Sequence, residues 1–318
     1  TLLITVLSIQ LILFNSCSSQ NNSKIEREDL LTGMTLELSE KAFNKIKIKR
    51  EEALDRKLLI KAKTDYVEGV LKCNNKSLKI KARLKGDHVD HFETDRWSFR
   101  IIAEDGEILN HSKISVQGVH TRAFLTEWIY HKLLKKEGVI NLQYEFFPFC
   151  VNDTLCGIYA FESHFDNYLL KMAGKENGPI MKFDETDFWN YKKYQENPNR
   201  DEILMKNAPI LLANKKWGKN KKNNKQFEEA KQLLDDFRTE VKPCEEVFDF
   251  EQWAKYIAIN ELIGGDHALR WHNLRFYYNP TSKKIEPIGF DSGSWMLKDK
   301  KVFYLIKIFL FLFLILRY

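Results

Sequence analysis

The sequence predicts an α+β fold in which strands dominate the N-terminal half and helices become frequent in the C-terminal half. Short runs of alternating apolar and polar residues, separated by Asn, Asp and Gly, fill most of residues 34–162. Apolar residues with a helical period follow in 226–263. Of the 318 residues, 44% are hydrophobic and 13% aromatic, which allows a sizeable core and excludes a disordered chain, a coiled coil or a collagen-like fibre.

The N-terminal half is predicted to contain six strands, one helix and a hairpin. The strands cover residues 34–38, 57–63, 65–72, 77–85, 99–103 and 113–116. A helix over 123–136 follows, and its expected apolar face consists of Phe124, Trp128, Ile129, Leu133 and Leu134. Residues 144–151 and 155–162 then form a hairpin that turns at Asn152-Asp153.

The C-terminal half is predicted to be more helical. A short helix is expected within 163–172, and amphipathic helices over 226–239 and 250–263. The polar stretch 174–225 is predicted to be irregular. A final hairpin pairs 274–278 with 284–288 around Asn279-Pro280. This order of elements indicates an α+β arrangement with two lobes and not alternating βαβ units.

Charge and cysteine usage limit the partners that we expect. The formal charge of +6 is mild for this length, and the six lysines of 214–225 account for it. A nucleic-acid-binding surface more often combines Arg and aromatic residues on a patterned face, so we interpret this run as a solvated loop and expect no nucleic-acid partner. The five scattered cysteines do not form a disulfide framework or a zinc site. Cys150 and Cys156 can face each other across the hairpin, where two small buried apolar side chains are favoured over a disulfide.

Residues 1–17 have the pattern of a signal peptide. An apolar run over 2–14, too short to span a bilayer, ends at Asn15-Ser16-Cys17. The pattern is similar to a bacterial lipoprotein signal, in which Cys17 would be lipidated and would anchor the chain to the membrane of the cell envelope through a polar tether over 18–33. The alternative is an ordinary secretory signal with an incidental cysteine. Both interpretations predict an exported protein.

The C-terminal residues 299–318 form an apolar tail that we separate from the fold. Residues 302–316 are apolar except for Lys307, and they fall short of the about 20 residues that a membrane-spanning helix needs. Three interpretations compete: a C-terminal anchor, a buried final helix, or translation in a wrong frame after a sequence break. The last is favoured because the motif before the tail is cut short.

Candidate catalytic residues lie towards the C-terminal end. Common short signatures of nucleotide-binding loops, hydrolases and metalloproteases are absent from the sequence. Asp266 follows an amphipathic helix beside two glycines, while Asn273 and Asp291 lie at the start and end of the predicted final hairpin, which would bring their side chains together. One carboxylate to orient or deprotonate a hydroxyl, with an Asn and an Asp to hold a divalent cation, is the minimum for phosphoryl transfer. The alternative is structural: a turn cap, a strand edge and a turn residue.

Several segments occur in a characteristic order between residues 60 and 298. They are 82–87, 95–101, 117–122, 157–162 and 178–185, followed by Asp266, His272-Asn273 and Phe290-Asp291. In this order they resemble the spore-coat-protein-H (CotH) kinase family, in the form found among exported bacterial lipoproteins. The resemblance implies an atypical protein-kinase-like two-lobed fold over 34–298, with an N-lobe at about 34–162 and an incomplete C-lobe at about 163–298.

The resemblance also implies an exported atypical protein kinase that transfers phosphate from ATP to Ser or Thr of secreted or surface proteins, with Mg²⁺ or Mn²⁺. Asp266 takes the role of the catalytic-loop aspartate, and Asn273 and Asp291 those of metal ligands. Basic residues of the N-lobe would face the nucleotide phosphates, with a solvated strand face as the alternative. Glu162 would pair with such a cation or contact the nucleotide edge, with a structural salt bridge as the alternative. The basic residues are Arg83, Lys85, Arg96 and Arg100, of which Arg96 and Arg100 are preferred.

Three features depart from the family pattern. Six residues separate Asp266 from Asn273, where the kinase pattern has four. Gly289 replaces the first acidic residue of the final motif, and arginine stands where lysine is usual at the phosphate position. The alternative function is therefore a catalytically inactive surface binding or scaffold lipoprotein on the same fold. Substitution of Asp291 distinguishes the two, since only a kinase loses metal-dependent activity.

Overall fold

The computed structural model describes residues 24–193 and 201–293. The predicted signal segment, Cys17 and the apolar tail lie outside these residues. Within the described residues, no helix has the length and apolar character that crossing a bilayer requires. The fold begins before residue 34, because Ile25 and Leu30, which the sequence placed in the tether, are buried in the core.

A closed barrel of seven strands forms the N-terminal part of the molecule. The strands up to residue 162 are β1 (Lys24–Ile25), β2 (Met34–Glu37), β3 (Val67–Cys73), β4 (Lys76–Leu84), β5 (Phe99–Ala103), β6 (Glu107–Ile108), β7 (Lys113–Gly118), β8 (Ile140–Asn141), β9 (Tyr144–Val151) and β10 (Gly157–Glu162). The barrel order is β10-β7-β5-β4-β3-β2-β9, and the antiparallel pairing of β9 with β10 closes it. β1 and β6 form a separate two-stranded pair.

Alternation along the barrel strands separates a packed interior from a polar exterior. In β5, Phe99 and Ile101 are fully buried inside the barrel, whereas Arg100 is only half-buried and points outward. Because the side-chain period of a strand is two, each neighbouring strand divides its residues in the same way. The strands predicted over 65–72, 77–85, 99–103 and 113–116 are confirmed, with small shifts of their ends.

The helix α1 (Glu40–Arg56) lies where the sequence predicted a continuation of strands. Ser39 caps it, since the Ser39 hydroxyl accepts a hydrogen bond from the Ala42 amide at 3.2 Å. Its apolar side packs Ile46 and Ala53 against the barrel core. The strand predicted over 57–63 is wrong, because the Leu59 amide donates to the Asp87 carbonyl in a loop and not to a strand.

A five-stranded sheet and most of the helices form the C-terminal part. Its strands are β11 (Ile180–Phe183), β12 (Ile210–Leu212), β13 (Arg275–Asn279) and β14 (Lys284–Gly289), in the order β12-β11-β13-β14-β8. The helices after α1 are α2 (Thr126–Lys136), α3 (Asn167–Met172), α4 (Thr186–Lys193), α5 (Asp201–Asn207), α6 (Lys221–Arg238), α7 (Cys244–Val247) and α8 (Phe250–Ile263). The final hairpin and the helices over 226–239 and 250–263 are confirmed.

The prediction that 174–225 is irregular was wrong. This stretch contributes β11, β12, α4 and α5, and α6 begins inside the lysine run. The strands escaped detection because they are short, and because β11, which pairs with β12, has its other partner β13 almost a hundred residues away in the chain. The six lysines of the run are exposed, as expected, although only part of the run is a loop.

The face that α2 buries differs from the predicted one. Glu127, Tyr130, His131 and Leu134 are buried, whereas Phe124 is 60% exposed. Phe124 lies before the helix and has positive φ, so it is not part of the helical stripe. Glu127, a polar residue of the buried face, binds a residue that is distant in the chain, because its carboxylate accepts a hydrogen bond from the Ser292 hydroxyl at 2.6 Å.

Cys150 and Cys156 form a disulfide that joins β9 to the residue before β10. The expectation of two buried apolar cysteines was therefore wrong, and Cys156 is exposed. The predicted hairpin itself is confirmed, and its turn residues Asn152 and Asp153 both have positive φ, which Asn and Asp tolerate better than most residues.

The two parts of the molecule share one direct strand connection. β8 pairs in parallel with β14 at the edge of the sheet, and two residues later the chain enters β9 of the barrel. The α+β class and the strand-rich N-terminal part are thus confirmed, while closure of the strands into a barrel is a feature that the sequence did not predict.

Candidate functional site

A cavity of about 1600 Å³ lies between the barrel and the C-terminal sheet. Its lining includes outward-facing residues of β4, β5 and β7 on one side, and residues of β11, β13 and several loops on the other. Thirteen Lys and Arg residues line it against seven Asp and Glu residues. The cavity therefore has a positive potential that favours an anionic ligand.

The barrel wall of the cavity is ordered by strand register. Arg83 pairs with Arg100 across β4 and β5, Arg100 with Ser115 across β5 and β7, and Ser115 with Glu162 across β7 and β10. Residues paired in this way point to the same face of the sheet. The outer face of four adjacent strands thus carries one row of polar side chains.

Lys85 and Glu162 form a buried ion pair at the centre of this wall. The Lys85 ammonium lies 3.2 Å from a Glu162 carboxylate oxygen and donates to the Gln117 side chain at 2.6 Å. Glu162 also accepts hydrogen bonds from Ser115 and Gln117, at 3.0 and 2.9 Å. Two side chains of β7 thus hold the pair, and these contacts leave little freedom for the ammonium.

Burial and neighbouring charges shift both pKa values of this pair. Burial lowers the pKa of Lys85 to about 8, although Glu162 opposes the shift. Burial alone would raise the pKa of Glu162, but the positive charges of Lys85, Arg122 and Arg100 outweigh it and the pKa is lowered. Glu162 is therefore ionised at neutral pH, and Lys85 is mostly protonated.

Asp291 approaches the cavity from the opposite wall. It follows β14 with a φ of 55°, and its carboxylate lies 3.1 Å from the Arg122 guanidinium and 3.4 Å from the His267 ring. Burial would raise the pKa of Asp291, but Arg122 and His267 lower it far below its usual range. The carboxylate oxygen that makes these two ion-pair contacts is buried and has no further partner within the described parts of the chain. A bound cation can therefore take the place of the guanidinium at this oxygen.

Asn273 meets Asp291 through a shared neighbour. The Asn273 amide lies 3.0 Å from the His267 Nδ1 atom and donates to the His267 carbonyl at 3.0 Å. Both Asn273 and Asp291 line the cavity, as expected from the predicted final hairpin. The contact between them runs through His267, which was not predicted to belong to the site.

Two of the predicted site residues lie away from the cavity lining. Asp266 is partly exposed and its carboxylate lies 3.7 Å from Arg270. Arg96 lies in the loop before β5, where its side chain approaches Gly157 at the other end of the barrel wall. The sequence favoured Arg96 over Lys85 as a phosphate ligand, but Lys85 lines the cavity and Arg96 does not. Arg83, Lys85, Arg100, Asn273 and Asp291 line one cavity, with Glu162 directly behind Lys85.

Arg122, Gln117 and His267 belong to the site although no role was predicted for them from the sequence. Gln117 and Arg122 lie in a segment that was noted only for its resemblance, and both contact residues that were assigned. A signal was present for Gln117, because Lys113, Ser115 and Gln117 alternate with the apolar residues of β7. No local pattern indicates Arg122, whose ion pair with Asp291 joins residues far apart in the chain.

A divalent cation fits the oxygen donors of this site in part. The buried Asp291 oxygen and the Asn273 side-chain carbonyl are hard ligands of the type that Mg²⁺ prefers, and Mg²⁺ keeps several waters and phosphate oxygens as its other ligands. The Arg122 guanidinium competes for the same carboxylate. In residues 24–193 and 201–293, no group of three or more His, Cys, Asp or Glu side chains forms a metal centre by itself.

Comparison of the chain with protein-family models and with curated proteins finds no match.

Proposed function

We propose that the protein is an exported atypical protein kinase that transfers phosphate from ATP to Ser or Thr of a secreted or surface protein. The observation that carries the proposal is the placement of the buried Lys85–Glu162 pair and of Asp291 on facing walls of one positively charged cavity. Protein kinases need a lysine that is held by a glutamate and an aspartate that holds the metal ion. Here the glutamate lies on a strand and not on a helix, and the two-lobed kinase-like fold is part of the proposal.

Each residue has a defined task in this mechanism. Lys85, fixed by Glu162 and Gln117, would donate to phosphate oxygens, and Arg83 and Arg100 would neutralise further phosphate charge. Asp291 and Asn273 would hold Mg²⁺ or Mn²⁺, and this cation would offset the negative charge of the phosphates. Phosphoryl transfer depends mainly on positioning and on electrostatic stabilisation, so it does not require a strong base close to the acceptor hydroxyl. Asp266 as the catalytic aspartate stays a prediction.

Two features support export. The Cys150–Cys156 disulfide is typical of an oxidising compartment, because thiols stay reduced in the cytosol. The N-terminal segment with Cys17 resembles a lipoprotein signal and would attach the protein to a membrane of the cell envelope. Both fit a kinase that acts on surface proteins.

A surface binding or scaffold protein is the second candidate. Two observations favour the scaffold. Asp266 is partly exposed and lies outside the cavity lining, so the site lacks this carboxylate. The Arg122 guanidinium occupies the Asp291 carboxylate that a metal ion would need. Such a protein would bind an anionic ligand in the cavity without transferring phosphate.

Phosphate transfer from γ-labelled ATP with Mg²⁺ or Mn²⁺, measured on the full chain, tests the proposal. Asp291→Asn keeps the shape of the side chain and is expected to lower transfer by about 100-fold or more, because a neutral amide holds the metal ion more weakly than a carboxylate does and the charge that the metal would supply to the phosphates is lost. Asp153→Asn is the matched control, since Asp153 also has positive φ, at 56°, but lies in an exposed hairpin turn. ATP binding without label transfer would contradict the kinase proposal and favour the scaffold. Absence of ATP binding would also contradict the kinase proposal.

A further inference from the structure

The end of the cavity away from Asp291 carries basic side chains that the proposed nucleotide site does not use. Lys113 begins β7, Lys182 lies on β11, and Lys215 lies in the loop after β12. Lys216, the next residue of that loop, donates to the Ser112 hydroxyl at 3.2 Å. This contact places the loop directly beside Lys113.

Strand geometry separates this basic end from the centre of the site. Lys113 and Gln117 lie on the same outer face of β7, four residues apart, which corresponds to about 13 Å at the usual rise of a strand. Gln117 is the residue that binds Lys85. The basic end therefore lies roughly 13 Å from the Lys85 row, and the Arg83–Arg100 pair lies between them.

Most of these cations have no acidic partner. Lys182 pairs with Glu185 at 3.1 Å, but within residues 24–193 and 201–293 no ion pair involves Lys113 or Lys215. Burial, with the nearby charges of Arg100, Arg83, Lys215 and Lys182, lowers the pKa of Lys113 to about 7. Cations that lie close together without carboxylates repel one another, and a bound polyanion removes this unfavourable electrostatic energy.

The size and opening of the cavity leave room for a second ligand. A site for one drug-sized ligand usually occupies about 300–1000 Å³, less than the about 1600 Å³ found here. Lys215 and Lys216 are exposed, whereas Lys113 is half-buried. The basic end thus opens to solvent at its rim, and an extended chain segment can enter there.

We propose that Lys113, Lys182 and Lys215 bind a segment of the acceptor protein that carries clustered negative charges, beside the bound nucleotide. The assignment of this ligand to the acceptor rests on the proposed kinase function, whereas the anion binding itself does not. Carboxylates of an Asp/Glu run and the phosphate of an already phosphorylated residue offer the same oxygen acceptors to ammonium groups. Peptides that carry only one of these two groups separate the sources.

Fluorescent peptides binding to the full chain provide the test. The probes are a serine flanked by glutamates, the same peptide with a phosphoserine and glutamines, and a neutral peptide with serine and glutamines. We expect either anionic peptide to bind about tenfold more tightly than the neutral one, and the stronger of the two identifies the source. Lys113→Gln is expected to weaken that binding about tenfold and Lys215→Gln about threefold, since Lys215 is more exposed.

Lys222→Gln is the matched control for Lys215→Gln. Lys222 belongs to the same lysine run and is exposed on α6, but it does not line the cavity, so the two variants change the net charge equally. Equal weakening by the two variants, or no preference for anionic peptides, would overturn the proposal. So would complete displacement of the peptide by a non-hydrolysable ATP analogue, because the basic end would then belong to the nucleotide phosphates.

The outcomes also separate this inference from the kinase proposal. ATP binding and label transfer without preference for an anionic peptide would remove the acceptor subsite and leave the kinase. Lys113-dependent peptide binding without ATP binding would support the anion site and remove the kinase. The result that we expect is simultaneous binding of ATP and the anionic peptide, with peptide affinity reduced in Lys113→Gln and ATP affinity retained.

Discussion

The two walls of the cavity hold their polar groups in different ways. On the barrel wall, Glu162 ends β10 and Lys85 directly follows β4, and both bind side chains of β7. On the opposite wall, His267 lies in a 3-10 turn, Asn273 in a loop, and Asp291 at a residue with positive φ. Strand register thus fixes the cationic side of the site, whereas the residues proposed to bind metal depend on irregular backbone.

The largest expected effect concerns the barrel wall. Glu162→Ala leaves Lys85 buried without its carboxylate partner, while Arg122 keeps its ion pair with Asp291, and removal of one partner of a buried ion pair costs about 3–5 kcal/mol. We expect the free energy of unfolding in urea to fall by this amount. Glu68→Ala, which removes an exposed glutamate from the neighbouring strand β3, is the control and should change it by less than about 0.5 kcal/mol. Equal small changes in both variants would show that the wall is not held by this pair.

The hairpin disulfide gives the next largest effect. Cys150→Ser with Cys156→Ser opens a short loop, and the chain-entropy model assigns about 2 kcal/mol to a loop of this length. Denaturant unfolding of the double variant should show this decrease in stability, and the unsubstituted protein should show the same decrease after reduction. A protein whose stability does not respond to reduction would contradict a disulfide in the folded state.

The pH dependence of anion binding is a smaller effect. Because the pKa of Lys113 is lowered to about 7 from 10.5, its ammonium loses its proton in the folded protein as pH rises through this value, while the unfolded chain keeps it. The free energy of unfolding therefore rises with pH above neutrality, and affinity for the glutamate peptide falls. Glutamate carboxylates stay ionised throughout, so the peptide does not contribute. Lys113→Gln should weaken the pH dependence of both the free energy of unfolding and the peptide affinity, and Lys85 should account for the pH dependence that remains. An unchanged pH dependence in this variant would contradict the prediction.

The smallest expected effect concerns Asp266. Its carboxylate is partly exposed and pairs with the exposed Arg270, so Asp266→Asn should change the free energy of unfolding by less than about 0.5 kcal/mol. We also expect it to reduce phosphate transfer less than Asp291→Asn does, because Asp266 does not line the cavity. Label-transfer rates of the two variants, measured with equal ATP saturation, provide the comparison. A larger decrease in Asp266→Asn would support the role that the family resemblance implies.

The difference between the walls also explains what the sequence could predict. Barrel strands such as β4, β5 and β7 show period-two alternation, so their positions and the outward direction of Arg83, Lys85 and Arg100 follow from local pattern. The final hairpin likewise placed Asn273 and Asp291 in one region. Local pattern did not predict α1, because the lysines and isoleucines of 45–49 alternate as in a strand.

Long-range contacts account for the remaining differences. Barrel closure depends on β2 lying beside β9, more than a hundred residues later, and no local signal specifies that pairing. The Arg122–Asp291 ion pair and the Ser292–Glu127 hydrogen bonds join α2 and its preceding turn to the segment after β14. These contacts add polar residues to the buried face of α2, for which the sequence correctly predicted Leu134 but not Glu127. Such pairings are decided by the tertiary fold and not by neighbouring residues.

The short strand β8 has a mechanical consequence for the cavity. It pairs with β14, whose end leads into Asp291, and only Leu142 and Gln143 separate it from β9 of the barrel. Such a tether is too short to let the sheet and the barrel move apart at this side. Any widening of the cavity must therefore be a rotation about this fixed edge, with the largest displacement at the rim that carries Lys215 and Lys216. The acceptor would enter through the side that opens, while Asp291 keeps its place beside the pivot.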